Sequence, residues 1–129
     1  MPHLHIEYSN GLGSKVDLTK LVKALHAYML GSDVFPTAGI RVRAFEASHS
    51  IVADGAEGTH FMAMTLSVGA GRSTDTLRHE GDQIFAIAQN ELATLLAEPY
   101  FALSLEILEI NPDLSWKDTP IHRRLSKVR

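Results

Sequence analysis

One pattern of segments occurs twice in the chain, and this repeat restricts the possible folds more than any other feature of the sequence. Each half reads as a strand, a glycine-rich turn, a helix, a proline-marked link and a second strand. Residue identity between the halves is low, so the repeat is one of structure. Each crossover is long enough for a right-handed parallel connection, which predicts two β-α-β units. We place the halves at about residues 2–52 and 60–111, followed by a C-terminal tail at 112–129.

The first half is predicted to begin with a strand at about Pro2 to Tyr8, because apolar and polar residues alternate there. Ser14, three residues before Asp17, fits a helix N-cap, and Gly31 is a natural helix stop. A second strand is expected at about Gly39 to Ala47. The apolar residues of the helix recur at helical spacing: Leu18, Leu21, Val22, Leu25 and Met29.

The second half is predicted to follow the same order after a polar loop or hairpin at about residues 53–58. Its first strand is expected at about His60 to Val68, and Ser73 or Thr74 can cap the next helix. Pro99 is expected to close that helix, and a strongly apolar strand follows at about Phe101 to Ile110. Four residues share the apolar face of the first of these strands: Met62, Met64, Leu66 and Val68.

With 129 residues, the chain is long enough for one compact domain and not two. We expect an α+β (α/β) fold, in which the two β-α-β units form one four-stranded sheet with both helices on the same face. The opposite sheet face is expected to carry apolar residues without cover, which predicts an oligomer. The tail contains Trp116 and shows no strong periodicity, and we expect it to pack on a neighbouring subunit.

Composition excludes several classes of function. The chain has no cysteine, which excludes disulfides, thiolate nucleophiles and cysteine-ligated zinc. The net charge of −3 argues against nucleic acid as a partner. No stretch approaches the roughly 20 apolar residues that span a bilayer, and no signal peptide is evident, so we expect a cytoplasmic protein without a membrane partner. The basic residues at the C-terminus are interpreted as a solvated tail: Arg123, Arg124, Lys127 and Arg129.

The seven histidines and the serines form no recognisable metal or hydrolase motif. His3 and His5 share a strand face, His49 and His60 are scattered, and no spacing like His-Glu-x-x-His occurs. A Gly-x-Ser-x-Gly elbow is also missing. We therefore expect neither a metal site nor a serine hydrolase.

Pro2 is the first candidate for chemistry. Removal of Met1 would leave a secondary amine at the start of the first strand. An α-amino group titrates near pKa ~8, and both burial and nearby cations lower that pKa. A neutral amine near pH 7 can act as a general base. The alternative is a proline without a chemical role, and a chain that keeps Met1 has only an amide at this nitrogen.

Arginines supply the other candidates. Arg72 follows Gly69-Ala70-Gly71 between a strand and a helix, where backbone N–H groups attract anions and a guanidinium can hold a carboxylate. The alternative there is a tight turn with a solvent-facing arginine. Arg41 and Arg43 are two residues apart on a strand, so they share one face. They fit either a carboxylate clamp or a pair of surface ion-pair partners.

Together these features resemble the 5-carboxymethyl-2-hydroxymuconate delta-isomerase family of the tautomerase superfamily, and the resemblance covers nearly the whole chain. Two long motifs are specific: Phe-Pro-x-Ala-Gly-Ile-Arg-x-Arg from Phe35 to Arg43, and Met-Thr-Leu-x-x-Gly-Ala-Gly-Arg-Ser from Met64 to Ser73. Three short motifs are less specific: the opening Met1-Pro2-His3, Ala53 to Gly55, and Leu103 to Ile107.

The resemblance implies a homotrimer in which each chain stands for two short subunits of hexameric 4-oxalocrotonate tautomerase. It implies a 1,3-keto-allylic rearrangement of a tricarboxylate enol from homoprotocatechuate breakdown, with no metal or organic cofactor. Pro2 would move a proton from the 2-hydroxyl to C-5, while Arg41 and Arg72 would meet the carboxylates or the oxyanion. Further substrate-binding candidates are Arg43, Phe35 and Phe45, and the alternative for the two phenylalanines is core packing.

We also expect the pocket to lie at a subunit interface, which would bring arginines of a neighbouring subunit near Pro2. The second half has no N-terminal proline, so the pseudo-equivalent site at His60 or Phe61 is expected to be inert. Two rival functions stay open. One is a tautomerase for another α-keto acid, such as a phenylpyruvate-like enol or a haloacrylate. The other is a non-catalytic trimer that binds small acids.

Overall fold

The computed structural model describes residues 1–126 of the chain and contains one four-stranded mixed sheet in the order β2-β1-β3-β4. β1 runs parallel to β2 and antiparallel to β3, while β3 runs parallel to β4. The two β-α-β units in one four-stranded sheet are as predicted, and the structure joins them side by side through their first strands. The strands are β1 (His3–Tyr8), β2 (Arg41–Glu46), β3 (His60–Gly69) and β4 (Phe101–Ile110).

The two long helices pack on one face of the sheet, and their apolar stripes form the core with the inward side chains of the strands. Leu4 and Ile6 of β1 and the methionines of β3 are buried there, which confirms the predicted faces. The helices are α1 (Leu18–Gly31), α2 (Thr74–Glu91), α3 (Ala93–Leu96) and α4 (Pro120–Ser126). Short 3-10 turns cover Leu12–Ser14, Thr37–Gly39 and Pro112–Leu114.

Two helix boundaries differ from the prediction. Asp17 caps α1, because its side chain accepts a hydrogen bond from the Lys20 N–H. Ser14 was the wrong choice, since its hydroxyl donates to the Gly11 carbonyl within a 3-10 turn. α2 ends well before Pro99, because Leu92 leaves helical geometry and the short helix α3 follows it.

The prediction of an apolar open sheet face was wrong. Residues paired across strands share a face, and the partners of His3 and His5 include Arg41, Arg43 and Thr65. On β4 the side chains of Leu103, Leu105 and Ile107 pack against the core, so the strand turns its small and polar residues outward. The open face is therefore mostly polar, and its main large apolar side chains are Phe45, Phe61, Leu108 and Ile110.

The C-terminal segment folds back on its own chain. α4 contacts the 3-10 turn Thr37–Gly39 just before β2, and packing of the tail on a neighbouring subunit stays a prediction. Trp116 and Leu114 nevertheless stay largely exposed, at 85% and 70%. Of the basic tail residues, Lys127 and Arg129 lie outside the described part of the chain.

A buried carboxylate links α1 to α2. Glu80 of α2 is only 3% exposed and accepts hydrogen bonds from the hydroxyls of Tyr28 and Ser32 at the end of α1. Burial and the hydrogen bond to Glu80 raise the pKa of Tyr28 to about 12. The helix pair is thus held by a polar contact inside an otherwise apolar layer.

We expect Glu80→Ala to lower the free energy of unfolding by about 1–3 kcal/mol, because two partly buried hydroxyls lose their acceptor. Lys20→Ala is the matched control, since within residues 1–126 it breaks only the ion pair of an exposed lysine to Glu91 at 3.7 Å, and such a pair is worth under about 1 kcal/mol. Urea unfolding of both variants measures the difference. Equal losses would show that Glu80 contributes no more than a surface charge.

Candidate active site

Three chain segments meet at one edge of the sheet. β1 and β2 start at this edge because they are parallel, and β3 ends here because it is antiparallel to β1. His3 is paired with Arg41 on one side and with Ser67 on the other. The N-terminus, Arg41 and the turn before α2 are thereby brought together, although they are far apart in sequence.

Pro2 is buried at this edge, and its carbonyl accepts a hydrogen bond from the Arg41 N–H at 3.1 Å. Its ring lies against Gly39, where an added Cβ would stand 2.9 Å from Pro2 Cδ and 3.2 Å from Met1 Cα. Only glycine leaves room for such a close approach. Gly39 belongs to the long motif that precedes β2, so the sequence carried a signal for this contact.

The amine at the chain start lies in a cationic, partly buried environment. In the structure the terminal amine belongs to Met1, and the nitrogen of Pro2 is an amide. The Met1 amine therefore reports how this environment acts on an amine. Burial lowers the pKa of the Met1 amine from the ordinary value of 8.0, and the charges of Lys117, Arg72 and Arg41 lower it further. An amine at this edge is therefore biased toward its neutral, basic form.

Arg41 is held by its neighbours on the open face. Its Nη1 donates to the Gly39 carbonyl at 3.0 Å, and it lies 3.3 Å from His3 Nε2 and 3.6 Å from Met1 Sδ. A guanidinium can only donate hydrogen bonds, so His3 Nε2 accepts in this pair. Burial and the charges of Arg41 and Arg43 lower the pKa of His3, which keeps the ring neutral.

Arg72 precedes α2, whose N-cap is Ser73. Its Nη1 donates to the Gly69 carbonyl at 3.0 Å and its Nη2 to the Val34 carbonyl at 2.9 Å. A Cβ on Gly69 would lie 3.7 Å from Arg72 Nη1 and 3.8 Å from the Met1 amine nitrogen. Arg72 and the chain start therefore flank the same small space, and the guanidinium is fixed before any ligand binds.

The structure brings Pro2, Arg41 and Arg72 together within one chain, and a contribution from arginines of a neighbouring subunit stays a prediction. Arg43 is exposed two residues further along the same strand face. Phe45 is 51% exposed and stacks on the His5 ring with centroids 5.2 Å apart. Four residues of strand separate it from Arg41, roughly 13 Å.

Phe35 does not join this group in a single chain, because it is 3% exposed and belongs to the hydrophobic core. It can act on the site only by packing behind it. Two residues that contact the site, His3 and Lys117, were missed by the sequence analysis. Strand alternation put His3 on the right face, but only the strand register pairs it with Arg41.

A cavity of about 260 Å³ opens beside the N-terminus. One wall is Met1 together with the segment that leads into β2, and the other wall is the C-terminal segment. The lining residues are Met1, Pro36, Ala38, Gly39, Lys117, Thr119 and His122. The tail, which has no helical or strand periodicity, gave no sequence signal for this role.

The pseudo-equivalent edge at the start of β3 carries no amine. Thr59 and His60 have internal peptide N–H groups, which donate to the carbonyls of Ala56 and Tyr100. The His60 ring is buried and lies 2.7 Å from the Ser9 hydroxyl. Within residues 1–126, no cluster of three potential metal ligands was found and no helix is long and apolar enough to cross a membrane.

Known proteins match this chain in sequence and in fold. The family described as 5-carboxymethyl-2-hydroxymuconate isomerase matches residues 2–125. The Escherichia coli 5-carboxymethyl-2-hydroxymuconate Delta-isomerase is 33% identical over 122 residues, which is 95% of this chain and 97% of that protein.

Solved structures agree. A 5-carboxymethyl-2-hydroxymuconate isomerase from Deinococcus radiodurans R1 is 35% identical, with a TM-score of 0.88 over 96% of this chain and 93% of that chain. A fused 4-OT symmetric trimer is 18% identical, with a TM-score of 0.52 over 83% of this chain and 85% of that chain. This second likeness shows the fold alone.

Proposed function

We propose that this chain, which belongs to the 5-carboxymethyl-2-hydroxymuconate isomerase family, isomerises 5-carboxymethyl-2-hydroxymuconate with the amine of Pro2 as base and acid. The observation that carries the proposal is the position of the N-terminus. It lies partly buried between Arg41 and Arg72, where the pKa of an amine is lowered. A neutral amine next to two fixed cations suits proton transfer on an anionic enol.

The proposed reaction needs only a proton shift. After Met1 is removed, the Pro2 amine takes the proton of the 2-hydroxyl group, and the electron pair moves through the diene. The resulting dienolate carries negative charge on oxygen until the same amine returns the proton at C-5. The hydroxy-diene becomes a 2-oxo-ene with no gain or loss of atoms or electrons, so no cofactor is required.

The proposed roles of the arginines differ from that of the Pro2 amine. Arg41 and Arg72 are fixed by hydrogen bonds to backbone carbonyls, so they can meet the substrate carboxylates or the dienolate oxygen without reorganisation. Arg43 lies further along the open face, where it is proposed to contact a distal carboxylate. Phe35 and Phe45 are proposed to form the apolar wall of the site. Phe35 would pack behind the site, and Phe45 would contact it from the open face.

We further propose a homotrimer that acts in the cytoplasm in the breakdown of homoprotocatechuate. A structural neighbour is described as a symmetric trimer, and the exposed Trp116 and Leu114 offer apolar contact area. Size-exclusion chromatography with light scattering is expected to give three times 14.2 kDa. A clean monomer would remove the trimer from the proposal.

Ultraviolet assays on a panel of enol acids test the proposed substrate. The chain that starts at Pro2 is expected to turn over 5-carboxymethyl-2-hydroxymuconate faster than a phenylpyruvate enol or a haloacrylate. Preference for one of the other acids would favour the rival tautomerase function. No turnover of any acid would reject catalysis.

A non-catalytic binder of small acids is the second candidate. It is supported by the guanidinium groups of Arg41 and Arg72, which backbone carbonyls hold in place and which can bind an acid without a basic amine. A chain that keeps Met1 could bind an acid without transferring a proton. Intact mass of untagged protein separates the two candidates, because retained Met1 supports the binder.

Gly39→Ala is expected to lower kcat/KM by about 10²-fold, because the new Cβ would displace Pro2, and misplacement of a reacting group by ~1 Å has this effect. Gly31→Ala is the matched control, since nothing lies within 4 Å of its added Cβ. Activity of the two variants is compared in chains that start at Pro2. Wild-type activity in Gly39→Ala would show that the position of Pro2 is not critical.

A further inference from the structure

The C-terminal segment has a local turn before Lys117 and a contact with the rest of the domain after it. At one end, Asn111 caps a 3-10 turn by accepting a hydrogen bond from the Asp113 N–H at 3.0 Å. At the other end, α4 contacts the turn Thr37–Gly39. Asp118 also pairs with Arg123 of α4 at 3.7 Å. Lys117 therefore lies on a short stretch of chain between this turn and α4, beside the cavity at the N-terminus.

Lys117 lines the cavity next to Met1 and Gly39. No carboxylate is among the lining residues, and none of the ion pairs found within residues 1–126 uses Lys117. Among the charges that lower the pKa of the Met1 amine, that of Lys117 ranks ahead of Arg72 and Arg41. The ammonium group is thus a third cation at the chain start, supplied by a different part of the fold.

The number of cations matches the chemistry of the proposed substrate. A muconate has two carboxylates, and the carboxymethyl group adds a third. Arg41 and Arg72 can meet the carboxylate beside the 2-hydroxyl group and the developing oxyanion, and Arg43 can meet the distal carboxylate. This leaves the carboxymethyl carboxylate for a fourth cation. The carboxymethyl carboxylate hangs on a rotatable CH₂ group, and a compact ammonium on a flexible stem suits such a group better than the rigid fork of a guanidinium.

We propose that Lys117 binds the carboxylate of the carboxymethyl group and thereby makes the site selective for enol acids with three carboxylates over those with two. This inference rests on the proposed function of the same site. It assigns a role in substrate specificity to the C-terminal segment. The proton transfer itself does not require this role.

The test compares Lys117→Gln with the unmodified chain, both starting at Pro2, on two substrates. One is 5-carboxymethyl-2-hydroxymuconate and the other is 2-hydroxymuconate, which lacks the carboxymethyl group. Values of kcat/KM are taken on the plateau above the amine pKa, so that a change in that pKa does not count. We expect a fall of about 10- to 100-fold for the tricarboxylate, from the loss of one charged hydrogen bond. The dicarboxylate should change by less than about twofold.

Three further measurements sharpen the test. Lys117→Arg keeps the charge and is expected to recover most of the preference. Lys23→Gln removes an exposed lysine of α1 and is expected to change neither substrate. The acid limb of both pH profiles should move to higher pH in Lys117→Gln, because a cation that lowers the amine pKa is gone. A purely structural role for Lys117 would not move this limb.

Failure of this inference differs from failure of the proposed function. If the unmodified chain turns over both acids and Lys117→Gln slows both equally, or slows neither, Lys117 does not select for the third carboxylate. If the unmodified chain turns over neither acid, the proposed function is rejected and this inference falls with it.

Discussion

A chain that keeps Met1 is expected to isomerise 5-carboxymethyl-2-hydroxymuconate at least about 10²- to 10⁴-fold more slowly than a chain that starts at Pro2, which is the usual contribution of a general base. The nitrogen of Pro2 is then an amide, whose lone pair is not basic. Met1 also fills the space between the arginines, where its sulfur lies 3.6 Å from Arg41 Nη1. Both effects act in the same direction.

The experiment uses two preparations of known intact mass, one with and one without Met1, in the same ultraviolet assay. Pro2→Ala in a chain without Met1 is the control, because it keeps an α-amine but changes its class and position. We expect intermediate activity from this variant. Equal rates with and without Met1 would show that the N-terminal amine is not the base.

The pH dependence follows from the same amine. Only the neutral form can accept a proton, so kcat/KM is expected to rise with pH until the amine is deprotonated. Because burial and the nearby cations lower the pKa of an amine at this position, the rise should occur below the ordinary value of 8.0 for an α-amine. A titration above that value would contradict the cationic environment described here.

Arg72→Ala is expected to lower kcat by about 10²- to 10³-fold, the usual effect of removing one donor that meets developing negative charge. The guanidinium is fixed by the carbonyls of Gly69 and Val34, so water that replaces it cannot hold the same geometry. The loss of a cation should also raise the amine pKa and move the acid limb to higher pH.

Arg78→Ala is the matched control, because Arg78 is an exposed arginine on α2 that pairs only with Asp75 among the salt bridges found. It is expected to keep nearly full activity. Circular dichroism and thermal unfolding of both variants separate a catalytic effect from a loss of fold. An unchanged kcat in folded Arg72→Ala would remove Arg72 from the mechanism.

Local patterns in the sequence predicted the strands and helices of this fold, because these elements depend mainly on residues that are close in sequence. The alternation in β1 and β3 identified the buried faces, and the two parallel crossovers fixed the strand pairing within each half. The N-cap of α1 was harder to predict from the sequence, because serine and aspartate both cap helices. Only the hydrogen bonds in the structure identify Asp17, and not Ser14, as the cap. The break at Leu92 likewise has no strong sequence marker.

The candidate site was predictable in part for a similar reason. Pro2, Arg41 and Arg72 stand in motifs at strand and helix ends, so their convergence follows from the topology. His3 and Lys117 could not be assigned, because their roles depend on strand register and on a tail without periodicity. The prediction for the open sheet face was wrong because the strongly apolar β4 directs Leu103, Leu105 and Ile107 toward the helices.

The side-by-side joining of the two units has a consequence for stoichiometry. The sheet offers two related edges, but a polypeptide has one beginning, so only the edge at β1 can present a terminal amine. The edge at the start of β3 has no terminal amine to present, and His60 forms a buried contact with Ser9 there. One chain can therefore supply at most one N-terminal amine for its two β-α-β units, and the residues at the β3 edge can contribute to stability instead.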